Sequence, residues 1–335
     1  MSKEGWGMPE GEEKENEVTL EVSIVLCTLD RATQLTNAIR SILDQDCDPR
    51  RYEIVVVDNC SKDGTPQVVQ EFQSRASNVR YVYEGRLGLS TARNRGVAES
   101  RAPIVAFFDD DGTADPGWLE ALLEVFRSDG DAGAAGGLIH VGWPAEKPKW
   151  MPVDFQGYYG ACDYGDERRS LAFPQYPYGA NMMIRRQFLD AIGGFNDELG
   201  AKGQNIMQGD ELDVFQRLSD MKTKVVYEPR AVVHHWVPAE RVTRKWLLRR
   251  AYKHGYSNTR LSSVRTGATR LTWTALLMRA SFNCMVALLA VAAGATMARN
   301  VSVVTSRVAY VSYWAGVARG ASDGLMHGLT KTATL

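Results

Sequence analysis

Cysteine is scarce in this 335-residue chain, with five residues, an odd number, and none in CxxC spacing. This count argues against a disulfide framework or a CxxC-type zinc site and is typical of a reducing compartment. The two common phosphate-binding patterns, GxGxxG after the first strand and GxxxxGKS/T, are also missing, which excludes a dinucleotide fingerprint and a P-loop. Residues 1–18 have no apolar core, so we expect no signal peptide and predict a disordered acidic lead-in over 1–19.

Charge is divided unevenly along the chain, although the net charge is only −1. Residues 241–335 contain 14 Lys and Arg against a single acid, Asp323, which leaves 25 basic and 39 acidic residues in 1–240. An acidic body with a basic C-terminal region predicts an anionic partner for that region. With 44% hydrophobic and 24% charged residues the chain is of ordinary globular composition, long enough for one large domain or two.

Strands alternate with helices over the first 110 residues. Buried-type strands are predicted at Val22–Thr28, Tyr52–Asp58, Val79–Tyr83 and Ile104–Phe108, with helical patterns between them. This alternation predicts βαβ units and a parallel sheet. Because right-handed crossovers bring the strand ends to one edge, the polar residues at those ends should gather there.

Three consecutive carboxylates, Asp109, Asp110 and Asp111, follow the fourth of these strands. Their mutual repulsion needs an opposing charge, and a hard cation such as Mg²⁺ or Mn²⁺ prefers oxygen ligands of this kind. The alternative is an acidic loop that leads into the next helix, with Asp115 as N-cap and Pro116 at the first helical position.

A second acidic group, Asp210-Glu211, stands at the start of a predicted helix in which Leu212, Phe215 and Leu218 recur at helical spacing. Acids in a first turn are favoured by the helix dipole alone. The functional alternative is a general base, because burial or nearby charge can raise the pKa of a carboxyl group.

Taken together, the segments resemble an inverting family 2 glycosyltransferase with the GT-A fold. The resemblance covers residues 20–240 and rests on six segments in the family's order: the strand ending at Thr28, the 57–65 turn, the 88–94 segment, the DxD-like triplet 109–111, the 179–195 block and the acidic pair before Arg217. It implies an α/β nucleotide-diphospho-sugar transferase fold, Rossmann-like, with a mixed, mainly parallel sheet. The expected halves are 20–115 for the nucleotide sugar and 116–240 for the acceptor, followed by a helical extension over 241–335.

The resemblance also implies roles for individual residues. Contacts to the nucleotide-diphosphate sugar donor would come from Thr28, Asp30, Asp58, Arg93, Asp109 and Asp110. A divalent cation, Mg²⁺ or Mn²⁺, would be held by Asp111, Asp109 and His235. The adjacent His234 is the alternative histidine for this role. Glu211 would be the catalytic base. Asp210 is an alternative base, because the pair reads Asp-Glu here and not Glu-Asp, the commoner order in the family. Acceptor contacts would come from Gly179, Asn181 and Trp150.

The implied reaction is the transfer of a sugar, with inversion, to a hydroxyl group of a glycan or lipid-linked acceptor in polysaccharide or cell-envelope synthesis. One alternative is a non-catalytic nucleotide-sugar-binding or scaffold protein of the same fold, which should have lost the triplet or the base. The other is a nucleotidyltransferase, which should carry a Gly-rich basic loop after the first strand. That place here holds Thr28-Leu29-Asp30-Arg31.

The C-terminal region combines basic and apolar character. Residues 241–270 carry nine basic residues and no acid, residues 280–298 carry no charge, and 301–317 are apolar apart from Arg307. We predict a helical hairpin that lies on a membrane surface through 241–320, at the cytoplasmic inner face of the cell membrane. A helical subdomain packed on the catalytic body is the alternative. No nucleic-acid partner is predicted.

Overall fold

A computed structural model describes residues 18–203, 205–206, 209–266, 269–297 and 301–327. The predicted disordered lead-in lies outside these residues except for Val18 and Thr19, and so does Arg299, which closes the uncharged stretch. The described chain forms an α/β body followed by three long helices.

The eleven strands of the described residues alternate with helices in the first half of the chain. They are β1 (Val22–Thr28), β2 (Tyr52–Asp58), β3 (Val79–Tyr83), β4 (Ile104–Asp109), β5 (Gly112–Ala114), β6 (Ala132–Gly142), β7 (Arg169–Leu171), β8 (Met182–Arg185), β9 (Ala201–Lys202), β10 (Asn205–Ile206) and β11 (Lys224–Trp236). The helices are α1 (Ala32–Leu43), α2 (Thr65–Gln73), α3 (Leu89–Glu99), α4 (Trp118–Ser128), α5 (Arg186–Ile192), α6 (Asp210–Asp220), α7 (Arg244–Thr266), α8 (Arg270–Met297) and α9 (Val301–His327).

Nine of these strands form one mixed sheet in the order β3-β2-β1-β4-β8-β6-β11-β5, with β7 also paired to β11. Six strands run in the same direction, whereas β5, β7 and β8 run against their neighbours. The predicted mixed, mainly parallel sheet and the C-terminal helical extension are therefore both present. The four predicted strands β1 to β4 lie side by side, so their carboxyl ends meet at one edge.

The sheet is covered on both faces because its strands are apolar on both sides. In β1, Ile24 and Leu26 pack in a cluster with α1, α2 and α4, while Val25 packs on the opposite face with α3, α5 and α6. Two buried layers of this kind explain why the central strands read as continuous apolar runs. One predicted detail differs: α4 begins at Trp118 after Gly117, and not at Pro116.

The C-terminal helices pack on the body and on each other. Leu247 and Ala251 of α7 and Ala309 of α9 share a buried cluster with Phe155 and Tyr159 of the body. The backbones of α7 and α9 cross closely, because a Cβ atom at Gly255 or at Gly316 would overlap a backbone carbonyl oxygen of the facing helix. The predicted subdomain contact is thus observed for α7 and α9.

Helix α8 is different, because many of its apolar side chains within 270–292 are exposed. Within the described residues, Arg270–Ala292 is long and apolar enough to cross a membrane by length and composition, with a mean hydropathy of 1.8. Leu271, Met278, Phe282 and Leu289 are 79%, 63%, 60% and 62% exposed. Such a continuous exposed apolar surface is uncommon on a soluble monomer.

Candidate active site

The two carboxylates Asp110 and Asp111 occupy the tight turn between β4 and β5, directly after Asp109. The short strand β5 pairs with β11 in a register that sets Gly112 opposite His235, and the amide of Trp236 donates to the carbonyl of Asp111. This register brings the imidazole of His235 to the triplet, with Nε2 3.1 Å from Oδ1 of Asp111. His234 points elsewhere, to Asp115.

Asp109, Asp111 and His235 form a compact group of ligating atoms. One oxygen from each carboxylate and one imidazole nitrogen lie within 4.8 Å of one another. Two carboxylates with one imidazole suit a divalent cation such as Mn²⁺. Arg31 offsets the negative charge at this place, with Nη1 2.7 Å from Asp110 and 2.9 Å from Asp111.

A second charged group joins three distant parts of the chain through Arg93 of α3. Its guanidinium is 2% exposed and contacts Asp210 at 2.7 Å, Glu211 at 3.0 Å and Asp109 at 3.6 Å. The acidic pair enters this group because α6 begins at Asp210 directly after Gly209, which is in the left-handed conformation with φ 110°. The predicted helix start at Asp210-Glu211 is confirmed, and Arg93 links it to the tip of β4.

Gly179 lets the backbone approach this group closely. It begins the turn of 3-10 helix at Gly179–Asn181, and a Cβ atom there would overlap both the Glu211 carboxylate and the Arg93 guanidinium. Any larger residue at this position would displace the two side chains.

These groups line one cavity of about 870 Å³, which also contains Thr28, Asp110 and the tyrosines Tyr158, Tyr176 and Tyr178. Its volume is within the range of pockets that hold small molecules or cofactors. The cavity is bounded on one side by α7, which contributes Arg249, Arg250 and Lys253.

The surroundings shift the pKa values of the carboxyl groups in opposite directions. Burial, with the nearby charges of Asp210 and Asp109, raises the pKa of Glu211 to about 7 against the opposing effect of Arg93. Burial, together with the charge of Asp111, raises the pKa of Asp110 to about 6. For Asp111, burial is outweighed by the hydrogen bond and charge of His235 and the charge of Arg31, so its pKa is well below the usual range. A carboxyl group poised near neutral pH has the properties of a general base.

Four residues with predicted roles do not lie on the cavity wall. Asp58 accepts hydrogen bonds from the Ser61 amide and the Tyr81 hydroxyl, and Asp30 accepts from the Lys62 amide, so both hold the turn after β2. Their donor contacts stay predictions.

The other two residues are Asn181 and Trp150, predicted to contact the acceptor. The fully buried Asn181 amide accepts from the Trp118 indole and donates to the carbonyls of Leu138 and Ala231. Trp150 lies under the guanidinium of Arg244. The structure brings neither side chain to the cavity, so acceptor contact by them also stays a prediction.

Sequence reasoning gave no site role to Arg31 or to the cavity-facing cations of α7. Arg31 follows the first strand, and it is about 80 positions from the carboxylates that it contacts, so no local pattern in the sequence links them. The basic run after residue 240 predicts contact with a membrane surface. The spacing of its cations does not indicate that some of them face a cavity, because this depends on how α7 packs on the body.

The mixed α/β sheet thus brings the carboxylates at the tip of β4, a candidate Asp-Asp-His cation group and the acid at the start of α6 into one cavity. The profile described as "Glycosyl transferase family 2" matches residues 23–193. The chain belongs to this family, which confirms the predicted resemblance.

Similar proteins agree with this assignment. The chain is 29% identical over 241 residues to the "Glucosyl-dolichyl phosphate glucuronosyltransferase" of Haloferax volcanii, covering 71% of this chain and 76% of the relative. It is 28% identical over 259 residues to the "Succinoglycan biosynthesis protein ExoM" of Rhizobium meliloti, covering 76% and 79%.

Among solved structures, the mannosyltransferase PcManGT from Pyrobaculum calidifontis, in complex with GDP-Man and Mn²⁺, is similar with a TM-score of 0.59. The likeness covers 93% of this chain and 89% of that one at 19% identity. At this level of identity the structural likeness bears on the fold alone. The likeness confirms the predicted GT-A fold.

Proposed function

We propose that this protein transfers a sugar, with inversion at the anomeric carbon, from a nucleotide-diphosphate sugar to a hydroxyl group of a glycan or lipid-linked acceptor. The observation that carries the proposal is the convergence of Glu211 and Asp109 on Arg93, which unites the acid at the start of α6 with the tip of β4 in one cavity. The relatives named for succinoglycan biosynthesis and for a dolichyl phosphate substrate support an acceptor of this kind.

The donor set of Asp109, Asp111 and His235 fits a divalent cation, Mn²⁺ or Mg²⁺. Asp111 is suited to the role because its low pKa keeps it ionised at any physiological pH. When bound, the cation would stabilise the negative charge that develops on the leaving diphosphate. The neighbouring structure that contains Mn²⁺ supports this choice of ion.

Glu211 is the proposed base, and its surroundings suit the task. In its ionised form it accepts the proton of the acceptor hydroxyl group, while Arg93 and the amide of Gly179 hold the carboxylate in place. Asp210, which is more buried and paired with Arg93 at 2.7 Å, would position that guanidinium. A single displacement needs one base and no protein nucleophile, and a diphosphate needs no protein acid to leave, unlike the leaving group in glycoside hydrolysis.

We place the protein at the cytoplasmic face of the cell membrane, bound through α8 and the basic residues around it. The exposed apolar side chains of α8 support this placement, and the cations of α7 that lie outside the cavity, such as Lys245, would favour an anionic lipid surface. An acceptor with a lipid tail would then reach the cavity from the membrane. Exchange of Phe282 and Leu289 for Glu should move the full-length protein from the membrane fraction to the soluble fraction, whereas Met221→Glu on the body should not. Full-length protein that is soluble without detergent would contradict the placement.

The function is tested by a screen of nucleotide sugars for Mn²⁺-dependent binding and slow hydrolysis in the absence of an acceptor. We expect at least one of them to raise the melting temperature in the presence of Mn²⁺ and to lose this effect after chelation. If none binds with or without the cation, a non-catalytic role of the same fold becomes the better explanation.

A further inference from the structure

The wall that α7 adds to the cavity contains three cations, next to uncharged residues that include His254 and Asn258. Arg249, Arg250 and Lys253 line the cavity together with Trp246. These positions are separated by three, four or seven residues, apart from the adjacent pair 249–250, so successive turns of the helix face the same side. Lys245, one position before Trp246, is exposed and does not line the cavity.

This wall has an excess of positive charge. In the part of the chain that the structure describes, no carboxylate oxygen lies within 4.0 Å of Arg249 or of Lys253. The sequence has no acid between residues 241 and 322 to supply one locally. Burial and the charges of Arg249 and Arg250 lower the pKa of Lys253, and burial and Arg241 lower the pKa of Arg250 to about 10. Bringing cations together in this way costs free energy that a bound anion would offset.

The location of the wall separates it from the candidate cation group. The group of Asp109, Asp111 and His235 is built on β4, the following turn and β11, where the donor diphosphate is proposed to lie. The wall lies on α7, and α8, with its exposed apolar side chains, is the next helix along the chain. Arg250 is also close enough to Glu211 for the two charges to interact. The cations thus share the cavity with the proposed base and lie on the helix that precedes the apolar helix α8 in the chain.

From this arrangement we infer that Arg249 and Lys253 bind a phosphate or diphosphate group carried by the acceptor. The inference rests on the proposed function and specifies the acceptor class: a lipid-linked molecule whose anionic group is held by α7 while its hydroxyl group reaches Glu211. Lys and Arg side chains are the usual partners of phosphate oxygens. The acceptor is therefore recognised by its phosphate as well as by its sugar.

The test uses the full-length protein in a non-ionic detergent, with farnesyl phosphate and farnesol as probes and calorimetry as the readout. We expect the wild-type protein to bind farnesyl phosphate at least about tenfold more tightly than farnesol. Arg249→Gln and Lys253→Gln should each weaken binding of farnesyl phosphate about five- to tenfold and leave farnesol unchanged. Lys245→Gln removes the same charge from α7 outside the cavity and should have no effect.

Two further measurements identify the source of the anion. Binding of UDP and GDP with Mn²⁺ should be the same in all variants. If Arg249→Gln and Lys253→Gln weaken nucleotide binding as much as they weaken farnesyl phosphate binding, the cations hold the donor diphosphate, and the inference is overturned. Loss of binding to phosphatidylglycerol vesicles with unchanged farnesyl phosphate binding would assign the cations to lipid headgroups and would also overturn it. If no nucleotide diphosphate binds to the wild-type protein, the proposed function fails, whereas the farnesyl phosphate comparison still decides the anion site.

Discussion

Replacement of Glu211 by Gln tests the proposed base directly, because the change removes the charge and keeps the shape. The amide oxygen of Gln can still accept from Arg93, and Arg93 retains Asp210 at 2.7 Å, so the fold and the cavity should be preserved. General-base catalysis contributes roughly 10²- to 10⁴-fold, which corresponds to about 3 to 5 kcal/mol of transition-state stabilisation. We expect kcat to fall by that factor while Mn²⁺-dependent binding of the nucleotide sugar remains near the wild-type value.

The pH dependence gives an independent signature of the same residue. With a pKa of about 7, Glu211 is protonated below neutral pH and cannot accept a proton. The wild-type rate should therefore fall as pH drops through 7, approaching tenfold per pH unit in the acid range. This limb of the profile should be absent from the residual activity of Glu211→Gln.

Asp210→Asn is the matched control, since both acids contact the same guanidinium. We expect a smaller loss of kcat in this variant and an acid limb that is still present. The assay is the initial rate of sugar transfer between pH 5 and 9 together with calorimetric donor binding. Turnover of Glu211→Gln within about tenfold of wild type would refute the assignment. If Asp210→Asn shows the larger loss of kcat, and the acid limb of the pH profile disappears only in that variant, Asp210 is the base.

Three other predictions concern the same cavity. Gly179→Ala should lower kcat about 10²-fold, because its methyl group displaces Glu211 and Arg93; an unchanged kcat would contradict this. Chelation of divalent ions should abolish donor binding, and Asp111→Asn should weaken Mn²⁺ affinity at least about tenfold by titration calorimetry. Arg93→Met should reduce the free energy of unfolding by about 3 kcal/mol or more in urea denaturation, since it leaves buried acids unpaired, whereas exposed Arg95→Met should change it by less than about 1 kcal/mol.

The parts of the fold that depend on local pattern could be predicted from the sequence. The apolar runs that became β1 to β4, and the helical spacing after Asp210, each lie within a dozen residues and are fixed by burial on a sheet face or one helix face. The triplet at the end of β4 was recognisable because three adjacent carboxylates at a strand end need an opposing charge.

Contacts between distant segments could not be read from the sequence. Arg31 compensates Asp110 and Asp111 across about 80 positions, and it does so only because β1 and β4 are neighbours in the sheet. Likewise, nothing local distinguishes Asn181, whose amide is used inside the body, from an amide that faces a ligand. Charge alone predicted an anionic partner for α7, but not that part of the helix would line the cavity.

The close crossing at Gly255 and Gly316 joins α7 and α9 into one closely packed helix pair, because their backbones touch without intervening side chains. Since one edge of that helix pair closes the cavity and the other adjoins α8, a chain cut after residue 240 would lose one side of the cavity and expose Phe155 and Tyr159. The structural unit that forms the cavity therefore extends beyond the α/β body. Swapping the tail between relatives should exchange acceptor preference together with the tail, and not merely the attachment to a bilayer.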